Sequence, residues 1–457
     1  MAADRHAHRR LAAWAGPLVL GILLLFGMHL RSVYLLETEV VHPFAADAGE
    51  YYLYAHNLRH HGVYSRDPRG LTENRGSVAP DAVRSPGYPL FIALFMGDAP
   101  PRAALARVLF AQAVLSTLAA GLAYVLFRRL LGGGWGLAAT ALTALSPHLV
   151  VVSGYLLTET LFLFLLLAAG LALAALAETP GWRSGLLLGA LLAAASLVRP
   201  SLQYLPLVIA LWACLRYGRP QGVRAAAAIA LGFVLVTAPW WGRNLSTLGR
   251  LTDNTLMINT LHHGIYPGFM YNRRPETFGF PYRHDPRSPE ISRNLGSVLE
   301  EIGGRFAREP GEHAAWFLVG KPMALWSWDI VQGQGDVFIY PVSRSPYADD
   351  PLFQSSHRWM RRLHIPLAVL CGLGCLMVWL PAASRILDRR ALDALRLLSL
   401  VPVYFTLVHI ATAPFPRYSI PLRPFQYGMA AAALCMSWRL IAIRRSSSAS
   451  AGQPSER

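Results

Sequence analysis

The chain alternates long apolar runs with polar stretches of very unequal length. A window of about 19 residues marks apolar spans near 12–34, 104–127, 135–152, 156–177, 184–199, 202–216, 224–242, 361–381, 395–412 and 422–442. Several match the roughly 20 residues a helix needs to cross a hydrocarbon core of about 30 Å. The pattern predicts an all-α polytopic membrane protein of about ten transmembrane helices. The first run continues through Met28, His29 and Leu30 with no small-residue cleavage site after it, so it reads as an uncleaved helix.

The expected organisation follows from those runs. Residues 1–36 form a cytoplasmic N-terminus and the first helix, 37–103 a first outer loop with juxtamembrane helices, and 104–243 helices two to seven. Residues 244–358 form a large outer loop region carrying short helices, 359–445 the last three spans, and 446–457 a Ser-rich disordered cytoplasmic tail. In the large loop Pro267, Pro275, Pro281, Pro286 and Pro289 predict extended chain to about Glu290, and a short helix is expected from Ser292 to Phe306. No repeat pairs the two halves, and no matched broken helices mark a secondary transporter.

Charge assigns the sides. Arg128, Arg129, Arg183, Arg216, Arg219, Arg224, Arg385, Arg389, Arg390, Arg396, Arg439, Arg444 and Arg445 fall in one set of short loops or termini. Short basic loops stay in the cytoplasm. Both termini are therefore expected inside, and both long polar stretches on the periplasmic or exterior face of the inner (plasma) membrane. With 54% hydrophobic and 15% charged residues, the chain is far from a soluble composition. Its formal charge of +16 is scattered between spans, which disfavours a nucleic-acid binder. Cys214, Cys371, Cys375 and Cys435 form neither a CxxC nor a zinc spacing. Adjacent His262 and His263 point apart in a regular element and make a poor metal pair. Gly132-Gly133-Gly134 lacks the Lys and Ser/Thr of a phosphate loop. No metal is indicated.

Candidate chemistry sits at the outer ends of the spans. In Asp47-Ala48-Gly49-Glu50-Tyr51-Tyr52-Leu53-Tyr54 a helix would put Asp47, Glu50, Tyr51, Tyr54 and Leu58 on one face. One carboxylate then reads as a general base beside an aromatic cleft; the plainer alternative is a helix cap with interfacial aromatics. Arg84-Ser85-Pro86-Gly87-Tyr88-Pro89 is a rigid turn whose arginine suits a phosphate. Glu159 opens one span and Arg199-Pro200 closes the next, a phosphate contact or a structural salt bridge. Arg243 after Trp240-Trp241 and Arg417-Tyr418 pair cations with aromatics at the outer interface, as snorkelling arginines also do. Lys321 is the only lysine among the 42 basic residues. It reads equally as a phosphate contact or an interfacial anchor.

In order and spacing, Asp47 with Tyr51, Arg84 to Pro89, Leu157-Thr158-Glu159, Leu197 to Pro200, Pro239 to Asn244 and Arg417-Tyr418 resemble the polytopic GT-C glycosyltransferases. The similarity is to the branch holding the protein O-mannosyltransferases and the lipid A aminoarabinose transferase. Many relatives carry an adjacent Asp-Glu pair; here Ala48 follows Asp47 and Glu50 comes two positions later, so either carboxylate is a candidate base. The resemblance implies an inverting transfer of a sugar from a polyprenyl-phosphate donor to a glycolipid, polysaccharide or protein acceptor. The donor lipid is then a co-substrate and no other cofactor is expected, a divalent metal being compatible with the chemistry but not indicated by the residues. Asp47 would be the base, with Arg84, Arg199, Arg243, Lys321 and Arg417 as the pool of phosphate contacts. Glu159 would orient one of them, and Tyr51, Tyr88 and Tyr418 would line the cleft. A flippase for a lipid-linked sugar would use the same cations without a base, and a non-catalytic subunit would need neither.

Overall fold

Helix is the natural state for backbone crossing hydrocarbon, because each N–H and C=O then bonds within its own segment. The computed structural model describes residues 2–72 and 78–451, without the side chains of 2–15 and 446–451, and is 76% helical. Helix α1 (Ala2–Glu37) leads to a two-residue strand, β1 (Glu39–Val40), and the first polar stretch then forms α2 (Asp47–His61) and α3 (Gly87–Met96). Next come α4 (Pro101–Leu131), α5 (Gly133–Leu145), α6 (Pro147–Ser153), α7 (Glu159–Glu178), α8 (Trp182–Val198), α9 (Leu205–Tyr217) and α10 (Gln221–Leu248). The second polar stretch holds α11 (Thr255–Gly264), α12 (Ser288–Ile291), α13 (Leu295–Arg308), α14 (Pro310–Ala315), α15 (Lys321–Leu325), β2 (Val342–Arg344) and α16 (Pro346–Asp349). The chain closes with α17 (Pro351–Met377), α18 (Arg389–Ala411) and α19 (Arg423–Ala451).

Among the described residues six helices are long and apolar enough to cross a membrane alone: α1 from Gly16, α4, α7, α10, α17 and α18. Helices α5 and α6, bent by 52°, make a seventh if they form one span. The other three expected spans correspond to α8, α9 and α19. They differ from the expectation by length and charge: α8 has 17 residues and α9 only 13, about 25 and 20 Å at 1.5 Å per residue. Helix α19 carries Arg423, Arg439, Arg444 and Arg445. It stays helical through Ala451, six residues into the tail expected to be disordered, and residues 452–457 lie outside the described part.

The helices have two chemically distinct ends. At one, Arg129 pairs with Glu178, Arg216 meets Asp393 at 2.8 Å, and Arg439 donates to the Leu131 and Ile386 carbonyls. At the other the two polar stretches meet, β1 pairing antiparallel with β2 (Glu39 opposite Arg344, Val40 opposite Val342). The prolines of the second stretch do not leave it extended. Pro267, Pro275 and Pro281 each open a 3-10 turn, where a missing N–H is harmless. The helix expected at Ser292–Phe306 is α13, begun by the Asn294 side chain accepting from the Ser297 N–H. Helix α17 starts ten residues before its apolar run, capped by Asp350.

Helix α7 lies at the centre, packed on α4, α8 and α18. Lipid tails give no hydrophobic drive between helices, so close approach depends on small residues. Where α8 meets α10, a Cβ at Gly189 would fall 2.1 Å from the Ile229 carbonyl oxygen, and one at Gly232 would fall 2.3 Å from that of Leu186. This close contact is a main anchor of the short α8 beside its packing on α7, so Gly189→Val should destabilise the protein by about 1–3 kcal/mol, read as a lowered melting temperature in detergent. Gly242→Ala, with nothing within 4 Å of the added carbon, should melt with the wild type; equal melting of both variants would mean that α8 and α10 are not in tight contact.

Candidate active site

Several backbone features bring α2 to its position. Ala46, before the helix, sits at φ 47°, a strained conformation for a residue with a Cβ. The Phe44 carbonyl folds so close over Gly49 that a Cβ there would lie 2.4 Å from it. Ala46 offers no side-chain cap; instead the Tyr340 hydroxyl, from the far polar stretch, accepts the Ala48 N–H at 3.3 Å. The turn carrying Arg84 is set by Gly87, where a Cβ would meet the Leu197 carbonyl at 2.8 Å. The start of α3 therefore abuts the end of α8, close to Arg199.

The result is a chain of ion pairs across helix ends. Arg66 lies 3.2 Å from Glu50; Arg84 donates to Glu50 (2.7 Å) and to Asp47 Oδ1 (2.7 Å); Arg417 donates to Asp47 Oδ2 (2.6 Å). Glu159 Oε1 stands 3.5 Å from Arg417 Nε and 3.6 Å from Arg199. Its side chain is fully buried, and neither Oε1 nor Arg417 Nε has a hydrogen bond. The Arg199 guanidinium lies over the Tyr418 and Phe162 rings, 5.0 and 5.7 Å away. It makes no hydrogen bond among the described residues. Arg84 lies 5.2 Å from the centre of the Tyr51 ring, whose edge meets Tyr88. Tyr88 in turn donates to Gln112 at 2.6 Å.

Nine of the eleven sequence candidates thus meet in one place: Asp47, Glu50, Tyr51, Arg84, Tyr88, Glu159, Arg199, Arg417 and Tyr418. Arg243 and Lys321 do not. Arg243 donates to the Asp81 and Tyr64 carbonyls at 2.8 and 2.9 Å, tying α10 to the first polar stretch. Lys321 is buried, 3.4 Å from the Phe317 ring, and donates to the Ile410 and Thr412 carbonyls at 2.8 and 3.0 Å, so it caps α18; burial pushes its amine down to about 7. His262 bonds Tyr266 while His263 packs on Tyr282. Sequence reasoning missed Tyr340, Arg66 and Gln112. Nothing near Tyr340 in the chain hints at Asp47, because the contact spans some three hundred residues.

Two open cavities, about 290 and 260 Å3, lie in the second polar stretch beside Arg305, Glu309 and His313. Arg305 there pairs with Glu301, which also takes Arg287 and Arg308, the internal bracing of a segment with a small apolar core. Among the described residues no group of three His, Cys, Asp or Glu side chains comes together as a metal site.

Residues 83–242 match the family model described as dolichyl-phosphate-mannose-protein mannosyltransferase. No curated protein matches the chain by sequence. Among solved structures, the archaeal oligosaccharyltransferase AglB from Archaeoglobus fulgidus, in complex with an inhibitory peptide and a dolichol-phosphate, is 13% identical with a TM-score of 0.50; the match covers 97% of this chain and 53% of that one. The Archaeoglobus fulgidus oligosaccharyltransferase tethered with an acceptor peptide is 14% identical with a TM-score of 0.48, covering 92% and 49%. The chain spans about half the length of these proteins, and at such identity the likeness is one of fold.

Burial by itself would raise the Asp47 carboxyl, but Arg417 and Arg84 outweigh it and hold the group well below the usual carboxylate range. A carboxyl depressed in the fold stabilises fully above its unfolded value of about 4 and loses that contribution as pH falls below it. Melting temperature in detergent should therefore drop as pH falls from about 5 toward 2, with a shallower drop for Asp47→Asn. Parallel curves for the two proteins would contradict the double pairing of Asp47.

Proposed function

We propose that this chain, whose fold and matched segment are those of a GT-C superfamily glycosyltransferase, transfers a sugar from a polyprenyl-phosphate donor to a hydroxyl-bearing acceptor at the outer face of the inner (plasma) membrane. The acceptor is a glycolipid, a polysaccharide or a protein. The observation that carries this reading is the ion-pair chain: four guanidiniums and three carboxylates at one end of the bundle, where the polar stretches meet. Charges at such a depth are costly unless they serve a site. The dolichol-phosphate bound by the archaeal oligosaccharyltransferase AglB supports a lipid-linked donor by analogy. Outside the cytoplasm nucleotide sugars are absent, so a lipid-borne donor also fits the sidedness that loop charge favours.

In this reading Arg199 and Arg417 bind the donor phosphate, Arg84 stays on Asp47 and Glu50, and the sugar's anomeric carbon faces Asp47. Asp47 takes the proton of the acceptor hydroxyl, the acceptor oxygen bonds to the anomeric carbon, and the bond from that carbon to the phosphate oxygen breaks. The electron pair leaves with the lipid phosphate, whose charge the guanidiniums stabilise. A single displacement inverts the anomeric centre. Glu50, one turn along the same face, keeps Arg84 aimed at the site, and Tyr51, Tyr88 and Tyr418 form the aromatic wall.

Cysteine at Ser288, in the second polar stretch, should react with an impermeant reagent in intact cells, whereas cysteine at Ser384, exposed at the opposite end, should react only after lysis. The reverse pattern would put the site in the cytoplasm. Detergent-solubilised protein should transfer sugar from a polyprenyl-phosphate donor. Asp47→Asn should cut that rate by about 100- to 10,000-fold, with Glu50→Gln affected less. A dead Glu50→Gln beside an active Asp47→Asn would make Glu50 the base, and lipid translocation without any transfer would favour a flippase. Arg199→Ala should weaken donor binding by roughly 1–3 kcal/mol; unchanged affinity would remove Arg199 from the phosphate site.

A further inference from the structure

In the resting site the base and its phosphate ligands are each other's partners. Asp47 Oδ1 is taken by Arg84 and Oδ2 by Arg417, at 2.7 and 2.6 Å. A carboxylate with both oxygens held by guanidiniums is a poor proton acceptor, and a guanidinium aimed at a carboxylate has that much less of its fork for phosphate. Donor binding and general-base catalysis both compete with these contacts. Displacing one of the two arginines would serve both.

The two are not equally committed. Arg84 also holds Glu50 at 2.7 Å, and its backbone is pinned on both sides, its N–H donating to the Tyr54 hydroxyl and its carbonyl accepting from Tyr64. Arg417 has its second carboxylate only at 3.5 Å, with its Nε unbonded. It shares Glu159 and the Tyr418 ring with Arg199, a guanidinium that no hydrogen bond holds among the described residues. The ion-pair chain also has four cations against three carboxylates. Asp81 stands beside the Arg66 end of the chain, accepting the Arg66 N–H at 2.9 Å, so the cations least matched by carboxylates are Arg199 and Arg417.

Resting on the reading of this site as a donor-phosphate pocket, we propose that the lipid phosphate binds between Arg199 and Arg417 and displaces Asp47 from Arg417. The donor itself then frees the base. Asp47 keeps Arg84 on Oδ1 and turns a free Oδ2 to the acceptor hydroxyl. Until the donor arrives the base is masked, so the donor binds first and an acceptor alone meets no active carboxylate. This assigns Asp47 a second task, as the resting counter-ion that a phosphate must replace.

The test is titration of the solubilised full chain with farnesyl phosphate, a single phosphate on a short prenyl tail. If Asp47 competes with phosphate for Arg417, Asp47→Asn binds farnesyl phosphate tighter by roughly tenfold or more. Glu159→Gln removes the same charge from 3.5 Å or beyond and should tighten binding less. Unchanged or weaker binding by Asp47→Asn, or equal tightening by Glu159→Gln, overturns the displacement. The transfer assay reports separately on the base: an Asp47→Asn that binds tighter and still transfers sugar leaves the displacement standing and removes Asp47 as base. Should Asp47→Asn fail to fold, wild-type protein with 13C-labelled aspartate supplies the answer. Adding farnesyl phosphate should shift a carboxylate band in the infrared difference spectrum, and the absence of a shift overturns the proposal.

Discussion

A carboxylate at the edge of hydrocarbon needs a partner, and the architecture of this protein's polar end is organised around meeting that need for Asp47. Its two oxygens are satisfied by arginines more than three hundred residues apart in the chain. Each arginine in turn reaches another carboxylate, Glu50 or Glu159, so removing Arg417 leaves the buried Glu159 and one oxygen of Asp47 without their partner in low dielectric. Pairing in a chain instead of in isolated couples makes the helix ends interdependent. The loop before α3, the start of α7, the end of α8 and the turn before α19 are all fixed by the same set of charges.

That interdependence explains why rigid backbone devices surround the site. Pro86, Pro200, Pro416 and Pro421 set the turns that deliver Arg84, Arg199 and Arg417. Gly49 and Gly87 let carbonyls approach more closely than any side chain would allow. Guanidinium geometry is directional, and a turn free to drift by an ångström would lose the 2.6–2.7 Å contacts on Asp47. The strained Ala46 is held by the Tyr340 hydroxyl, which accepts the N–H of Ala48 two residues on.

The rest of the bundle supports this end without sharing its chemistry. Small residues bring α8 onto α10, and a Cβ at Gly374 would lie 2.1 Å from the Met429 carbonyl, so α17 packs on α19 in the same way. The opposite end is closed by Arg129 with Glu178 and Arg216 with Asp393. Arg31 and Arg423, both fully buried, donate to carbonyls and neutral side chains instead of to acids. They bind interruptions in the helices: Arg31 reaches the Ala144 carbonyl where α5 breaks before Pro147.

The helical membrane class, the order of the main helices and the helix α2 with Asp47, Glu50 and Tyr51 on one face were legible in the sequence, because apolar run length and 3.6-residue spacing are local properties. So were most of the site residues, since a charge beside an apolar span is conspicuous wherever it falls. Local pattern did not separate Arg199 and Arg417 from Arg243 and Lys321: all four are cations beside aromatics or at an apolar boundary, and only the packing sends the first pair to carboxylates and the second to carbonyls. Nor did it supply Tyr340, or the short turns that prolines open in the second polar stretch. Partner choice between groups hundreds of residues apart depends on which helix ends the bundle brings together, and that is decided by tertiary structure alone.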